Sequence, residues 1–465
     1  MEAVLLIDFG STYTKVTAAD TQNARLLGCA SSHTTVETDV GEGLAAAVRE
    51  LEAATGKIEY GRRFACSSAS GGLKMVVCGL VPELTAKAAK LASLGAGAKV
   101  AKVFSFQLTD DDIGEIDAIS PDILLLTGGT DGGNTKCILH NAAMLGSKTA
   151  AYPVVAAGNR SCAKEVMDLL KGCRAYSCEN VMPSLGRLNI DPVRGKIREI
   201  FLERIVRAKG LSRESRLLDG IMMPTPAAVL AAVQLLSQGH GEDRGIGDLM
   251  AVDLGGATTD VYSVAAGMPR DANTVYRGLP EPFAMRTVEG DIGMRYSAAG
   301  VLEAAGIGGI AEAACLPEEK AGEMIISLGR NPEALPENED QRSLDFALAS
   351  LAVLTATLRH AGTIEEAYTA AGLTYVQSGK DLRDTANLVM TGGALIHAER
   401  QEEIAAYAMH SSRYPHSLRP QKAKVFIDSD YILSAMGLLA SHAPQAALGI
   451  MRRGLKQTGS KSEEV

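Results

Sequence analysis

Tryptophan is missing from this chain, and all aromatic residues together make up only 4% of it. With 465 residues and a hydrophobic content of 46%, the cores must be filled mainly by Ala, Leu, Val and Ile, and the length calls for two or three packed units. Long apolar runs are missing as well. The longest, Phe346 to Leu358, is too short to span a bilayer, ends in Arg359-His360 and reads as a buried helix. Positive charge is in deficit: 46 Lys and Arg against 55 Asp and Glu leave a formal net charge of -9. That balance argues against a general nucleic-acid binder, which carries a basic face.

Cysteine pairs at metal or redox spacing are absent too. The eight cysteines (29, 66, 78, 137, 162, 173, 178 and 315) include no C-x-x-C. Cys173 and Cys178, near Cys162, and Cys137 with His140 read as structural and not as metal ligands. The opening Met1-Glu2-Ala3-Val4-Leu5 has an acid and an immediate strand where a signal peptide has a basic n-region. Reduced thiols, a cytoplasmic location and no membrane association are the expectation.

What the chain does have is a matched pair of strand-and-turn segments. Leu6-Ile7-Asp8-Phe9-Gly10-Ser11-Thr12-Tyr13-Thr14-Lys15 and Val252-Asp253-Leu254-Gly255-Gly256-Ala257-Thr258-Thr259-Asp260 each give an apolar strand, an Asp, a glycine turn and hydroxyls. Small residues let the backbone approach closely, so such turns aim N–H groups and hydroxyls at phosphate oxygens. An Asp at the strand end can hold Mg²⁺ or orient an attacking nucleophile. A second paired landmark is Thr-Gly-Gly after an apolar strand, at Thr127-Gly128-Gly129 and at Thr391-Gly392-Gly393. Landmarks recurring in one order suggest a duplicated folding unit.

Strands alternate with helices, which predicts an α/β architecture with largely parallel sheets. A helix is expected near residues 43–54, so the glycines of Gly41-Glu42-Gly43 read as a helix start and not as a dinucleotide fingerprint. Residues 122–170 read as a β-α-β-α unit. Gly239-His240-Gly241-Glu242-Asp243-Arg244-Gly245 marks the seam, dividing the chain into lobe I (1–238 and 437–465) and lobe II (239–436).

These motifs resemble the actin/Hsp70/sugar-kinase ATPase superfamily. Asp8–Lys15 resembles its first phosphate motif, Asp253–Asp260 its second, and Leu388–Ala394 its adenosine motif. Met223–Val229 and Tyr431–Ala440 resemble its two connecting helices. The resemblance implies two actin-like, ribonuclease H-like lobes with an ATP cleft between them. It implies that Asp8 and Asp253 organise Mg²⁺ and the attacking water. Gly10, Ser11, Thr12, Thr14, Gly255, Gly256, Ala257 and Thr258 would donate to phosphates, and Gly392 and Gly393 would border the adenosine. Lys15 is placed either to neutralise phosphate charge or as a solvent-facing strand-edge lysine. Chaperone members of the superfamily carry a Glu before the Pro of the first connecting helix. Met223 stands there instead, which implies slow hydrolysis and a weak Mg-dependent ATPase that acts as a switch.

Across the whole chain, Asp8–Lys15, Leu126–Asn134, Val288–Arg295 and Arg359–Thr363 resemble the MutL-type accessory family of glutamate (methylaspartate) mutase. The resemblance implies an ATP-dependent reactivating chaperone for an adenosylcobalamin-dependent mutase, with the mutase subunits as partners. A small-molecule kinase of the same fold, acting on a sugar or carboxylate, is the alternative. An iron–sulfur activator of a dehydratase would need well-placed cysteines that the chain does not clearly supply.

Overall fold

The computed structural model describes residues 2–10, 12–34, 40–68, 73–207, 221–369 and 372–458. The chain forms two compact units, residues 1–229 with 437–442 and residues 230–436 with 443–465.

The main sheet of the first unit contains β1 (Ala3–Phe9), β2 (Tyr13–Asp20), β3 (Arg25–His33) and β4 (Arg62–Ser67). The expected early helix spans Val40–Thr55. Between β4 and the last strand of this sheet the chain builds a second sheet from β5 (Leu73–Gly79), β6 (Ala98–Ser105), β7 (Ile123–Leu126), β8 (Val154–Ala156) and β9 (Ala175–Ser177). It then returns as β10 (Ile221–Pro224), giving the order β10-β4-β1-β2-β3.

After a short hairpin of β11 (Gly239–His240) and β12 (Asp243–Arg244), the second unit repeats the plan. Its strands are β13 (Leu249–Leu254), β14 (Thr259–Val264), β15 (Thr274–Arg277), β16 (Ala284–Glu289), β17 (Thr363–Thr369), β18 (Gly372–Ser378), β19 (Asn387–Thr391), β20 (Lys424–Ile427) and β21 (Lys456–Gln457). The main sheet runs β16-β14-β13-β19-β20-β21, and β15, β18 and β17 form a separate small sheet.

In both units the first three strands of the main sheet are antiparallel, the fourth pairs parallel to the first, and the fifth pairs parallel to the fourth. This is the ribonuclease H-like lobe, built twice. The main sheets are therefore mixed, not largely parallel, because the short connections from β1 to β2 and from β13 to β14 close hairpins and only crossovers yield parallel neighbours. The inserted sheet β6-β5-β7-β8-β9 is parallel throughout. Its doubly wound 2-1-3-4-5 order went unread in the sequence, where only its β7–β8 portion stood out.

Burial follows this layering. β1 is buried along its whole length, as befits a strand covered on both faces. The helix Glu339–His360 contains the long apolar run and packs it into the core of the second unit, against Val252, Leu254 and Leu388. No single helix among the described residues is long and apolar enough to cross a membrane.

The units differ from the expected lobes at two places. Residues 443–465 fall in the second unit, where β21 adds antiparallel to β20 through Phe426↔Gln457. Residues 230–238 also go there, because Ile246 N donates to Leu236 O at 2.9 Å and Gly247 N to Ser237 O at 3.1 Å.

Candidate functional site

In the first unit the site grows from the end of β1. Asp8 pairs in register with Lys15 on β2 and Cys66 on β4, and Cys66 pairs with Met223 on β10. Directly paired residues share a sheet face, so these side chains form one row. Asp8 is 5% exposed, and its Oδ1 accepts a hydrogen bond from the Thr225 hydroxyl at 2.6 Å. Thr225 opens the helix Thr225–Gln238, whereas Met223 and Pro224 belong to β10. The connecting helix therefore starts two residues later than the motif suggests. Burial, and then the neighbouring Asp8 charge, push the Cys66 thiol well up, which keeps it protonated beside the carboxylate.

The turn after β1 is closed by Gly10, whose N–H donates to Tyr13 O at 3.0 Å. A Cβ at Gly10 would lie 2.5 Å from that carbonyl oxygen, so the turn admits only glycine without rearrangement. Thr12 accepts a bond from Thr34 N through its carbonyl at 2.8 Å. Thr14 is fully buried, its hydroxyl 3.0 Å from that of Thr34. Ser11 lies outside the described residues.

In the second unit Asp253 sits in register with Asp260 on β14 and Thr391 on β19. Two carboxylates directly opposite one another repel. Arg286 neutralises one of them: its Nε donates to Asp260 Oδ1 at 2.6 Å, and both side chains are buried. Burial by itself lowers the Arg286 guanidinium, but the Asp260 charge, the neighbouring Tyr262 and hydrogen bonds to both together hold it above its ordinary range. Neither residue was singled out for a role in the sequence. Nothing in a strand reading Met285-Arg286-Thr287 signals that this Arg faces inward.

The Gly255–Thr258 turn is closed by Gly255 N donating to Thr258 O at 2.9 Å. It is held from behind by the segment after β16. Met294 N donates to Gly255 O at 3.1 Å, and Arg295 N and Tyr296 N both donate to Gly256 O at 2.9 Å. Arg295 is fixed by a two-pronged pair with Asp345, at 2.8 and 2.6 Å. The Val288–Arg295 motif is thus the support of the second glycine turn, a role its sequence did not reveal. The Thr258 hydroxyl lies 3.5 Å from Asp260 Oδ2.

Thr391-Gly392-Gly393 follows β19 beside Asp253. Gly392 has φ +93°, and a Cβ there would lie 2.4 Å from Leu254 O and 2.6 Å from Asp253 Oδ1. The phenol of Tyr431 approaches the same Asp253 Oδ1 at 3.5 Å. Gly393 begins the short helix Gly393–Ile396. Each unit therefore presents an Asp at the end of a central strand next to a glycine turn. The donors are carboxylates, hydroxyls and peptide groups. Hard oxygen ligands of this kind fit Mg²⁺, and small-residue turns fit phosphate oxygens.

A family model described as MutL protein matches residues 4–455. Protein MutL of Clostridium tetanomorphum is 46% identical over 459 residues, covering 98% of this chain and 99% of its own. Solved structures are similar only at a distance. Component A of the Acidaminococcus fermentans (R)-2-hydroxyglutaryl-CoA dehydratase is 10% identical with TM-score 0.34, over 96% of this chain and 100% of its own. The activator of the Clostridium difficile 2-hydroxyisocaproyl-CoA dehydratase, with bound ADPNP, is 10% identical with TM-score 0.32, over 97% of both chains. Gluconate kinase of Lactobacillus acidophilus is 10% identical with TM-score 0.37, over 98% of this chain and 92% of its own. Likeness at this level says nothing about chemistry. The sequence match spans nearly the whole of both proteins, and the chain belongs to the MutL protein family.

Proposed function

We propose that the chain is an ATP-binding, slowly hydrolysing accessory protein that reactivates an adenosylcobalamin-dependent glutamate mutase. The observation that carries the reading is the repetition of one device. Asp8 and Asp253 occupy the same place in two sheets of the same strand order, each beside a glycine turn. Family membership supports the partner, since the motifs resemble a mutase accessory family.

In this reading Asp8 and Asp253 hold Mg²⁺, directly or through water, and orient the attacking water. The 10–12 and 255–258 turns, with Ser11, Thr12, Lys15, Gly256, Ala257 and Thr258, hold the phosphates. Gly392 and Gly393 border the nucleoside. Thr14 contributes by stiffening the first hairpin through Thr34. Mg·ATP supplies a charged ligand and a scissile phosphate bond. The protein supplies position, and its hydrolytic power is modest because Met223, 2% exposed, is a thioether that cannot order water as a carboxylate does. A nucleotide can drive partner exchange only if the mutase binds the ATP and ADP states with different affinity.

The test measures ATP hydrolysis with and without cyanocobalamin-inactivated glutamate mutase, together with recovery of mutase activity. ATP-dependent recovery is expected. Absence of nucleotide-dependent binding to the mutase would sink the chaperone reading, and phosphorylation of a sugar or carboxylate in its place would make the protein a kinase. Asp8→Ala and Asp253→Ala should each abolish Mg·ATP binding or turnover.

A further inference from the structure

We propose that Tyr431 is a positioning residue for Asp253, acting through its phenolic hydroxyl on the carboxylate. The inference rests on Asp253 being an Mg·ATP residue.

Tyr431 has φ +52°, in the left-handed region that a bulky side chain seldom enters. Asn or Gly would fill such a turn with less strain, so the ring is held here against a local penalty. What holds it is Asp428. The N–H of Tyr431 donates to Asp428 O at 2.9 Å. The Asp428 carboxylate, 0% exposed, accepts from Ile432 N at 2.9 Å and Leu433 N at 3.2 Å, capping the helix Leu433–Ala440. The same carboxylate accepts from the Thr391 hydroxyl at 3.0 Å.

Thr391 is the register partner of Asp253. The strained turn is therefore locked to the strand beside the carboxylate that its ring approaches. Asp253 Oδ1 has two near groups: the Gly392 backbone, where a Cβ would lie 2.6 Å away, and the Tyr431 hydroxyl at 3.5 Å. A hydroxyl donating to a carboxylate narrows its rotamers. Asp428, Thr391, Gly392 and Tyr431 together form a frame that sets where the Asp253 oxygens point. The sequence hides this frame, because Tyr431 reads as the first residue of a connecting helix.

The experiment titrates ATP binding by calorimetry with and without Mg²⁺ in the wild-type chain, Tyr431→Phe and Tyr431→Asn, alongside melting of the nucleotide-free proteins. Tyr431→Phe keeps the ring and removes the hydroxyl. It should melt within about 2 °C of wild type yet lose roughly fivefold of the Mg-dependent gain in ATP affinity. ATP binding without Mg²⁺ should be unchanged. Tyr431→Asn suits left-handed backbone, so a mere turn role would leave it as good as wild type; a loss at least equal to that of Phe is expected. Wild-type Mg dependence in Tyr431→Phe, or in Tyr431→Asn, overturns the inference and leaves the nucleotide reading standing. Absence of Mg·ATP binding in the wild-type chain overturns both.

Discussion

The Thr225 hydroxyl donates to Asp8 Oδ1 at 2.6 Å, joining the first residue of a helix to the carboxylate that ends β1. Asp8 is 5% exposed, so this bond satisfies an acceptor that water reaches poorly. Thr225→Val keeps the shape and leaves the acceptor short of a donor. A bond to a charged group is worth about 1.5–3 kcal/mol, so Mg·ATP affinity at the proposed site should fall roughly ten- to a hundredfold. Thr225→Ser should restore most of it. Titration calorimetry on the three proteins checks the order.

Gly392→Ala should be harmful through geometry alone. The added carbon would enter the space of Leu254 O and Asp253 Oδ1, at a backbone conformation that disfavours side chains. Strain of this kind costs about 1–3 kcal/mol. Urea unfolding should show the loss, and nucleotide binding should weaken with it. Gly393→Ala is the control, since a Cβ at Gly393 meets nothing within 4 Å. It should retain wild-type stability.

The buried pair of Arg286 and Asp260 predicts an asymmetric response. Arg286→Met leaves Asp260 charged, buried and opposite Asp253, and should cost about 3–5 kcal/mol. Arg286→Met combined with Asp260→Leu removes both charges and should recover much of that loss. A double-mutant cycle from chemical unfolding measures the coupling. Strict additivity would mean that the pair does not act as a unit.

Two buried bases contribute to the pH dependence of stability in the second unit. His360 lies with Nδ1 2.8 Å from the Thr287 hydroxyl and Nε2 2.8 Å from the Ser263 hydroxyl, and burial pushes its pKa down to about 3. Lys380 donates to the carbonyls of Phe283 at 2.7 Å and Pro282 at 2.9 Å, and burial pushes it down to about 7, against the pull of Glu281 and Asp248. Both folded values lie below the unfolded ones, so the unfolded chain binds more protons in each window. Stability from His360 is present above its unfolded value near 6.5 and is lost as pH falls toward 3. Stability from Lys380 is present near 10.5 and is lost as pH falls toward 7. Unfolding free energy should therefore rise from acid to mildly alkaline pH. His360→Asn should flatten the acid portion of that slope and leave the alkaline portion intact.

The local elements were legible because local rules made them. The β1 strand, its Asp and its glycine turn are readable from apolar run, acid and Gly10, and the structure has the strand and turn there. The helix from Val40 and the buried helix from Glu339 to His360 follow from their apolar residues. The second Thr-Gly-Gly, at 391–393, follows a strand as its residues imply. The start of the first connecting helix was misjudged because Pro224 ends a strand and Thr225 opens the helix, and a Pro-Thr-Pro sequence allows either boundary. The support of the Gly255–Thr258 turn was hidden because it consists of backbone bonds from residues 294–296, which side-chain identity does not encode.

By itself the sequence determined that the chain carries the same Asp-and-glycine device twice, on an α/β plan. Periodicity, composition and turn chemistry act over a few residues, and those features are local. Only the tertiary structure decided that Thr225 completes Asp8 across 217 positions, that Arg286 answers Asp260, and that Tyr431 and Gly392 frame Asp253. Sheet register and helix docking bring these groups together, and register is a property of paired strands that no single segment contains.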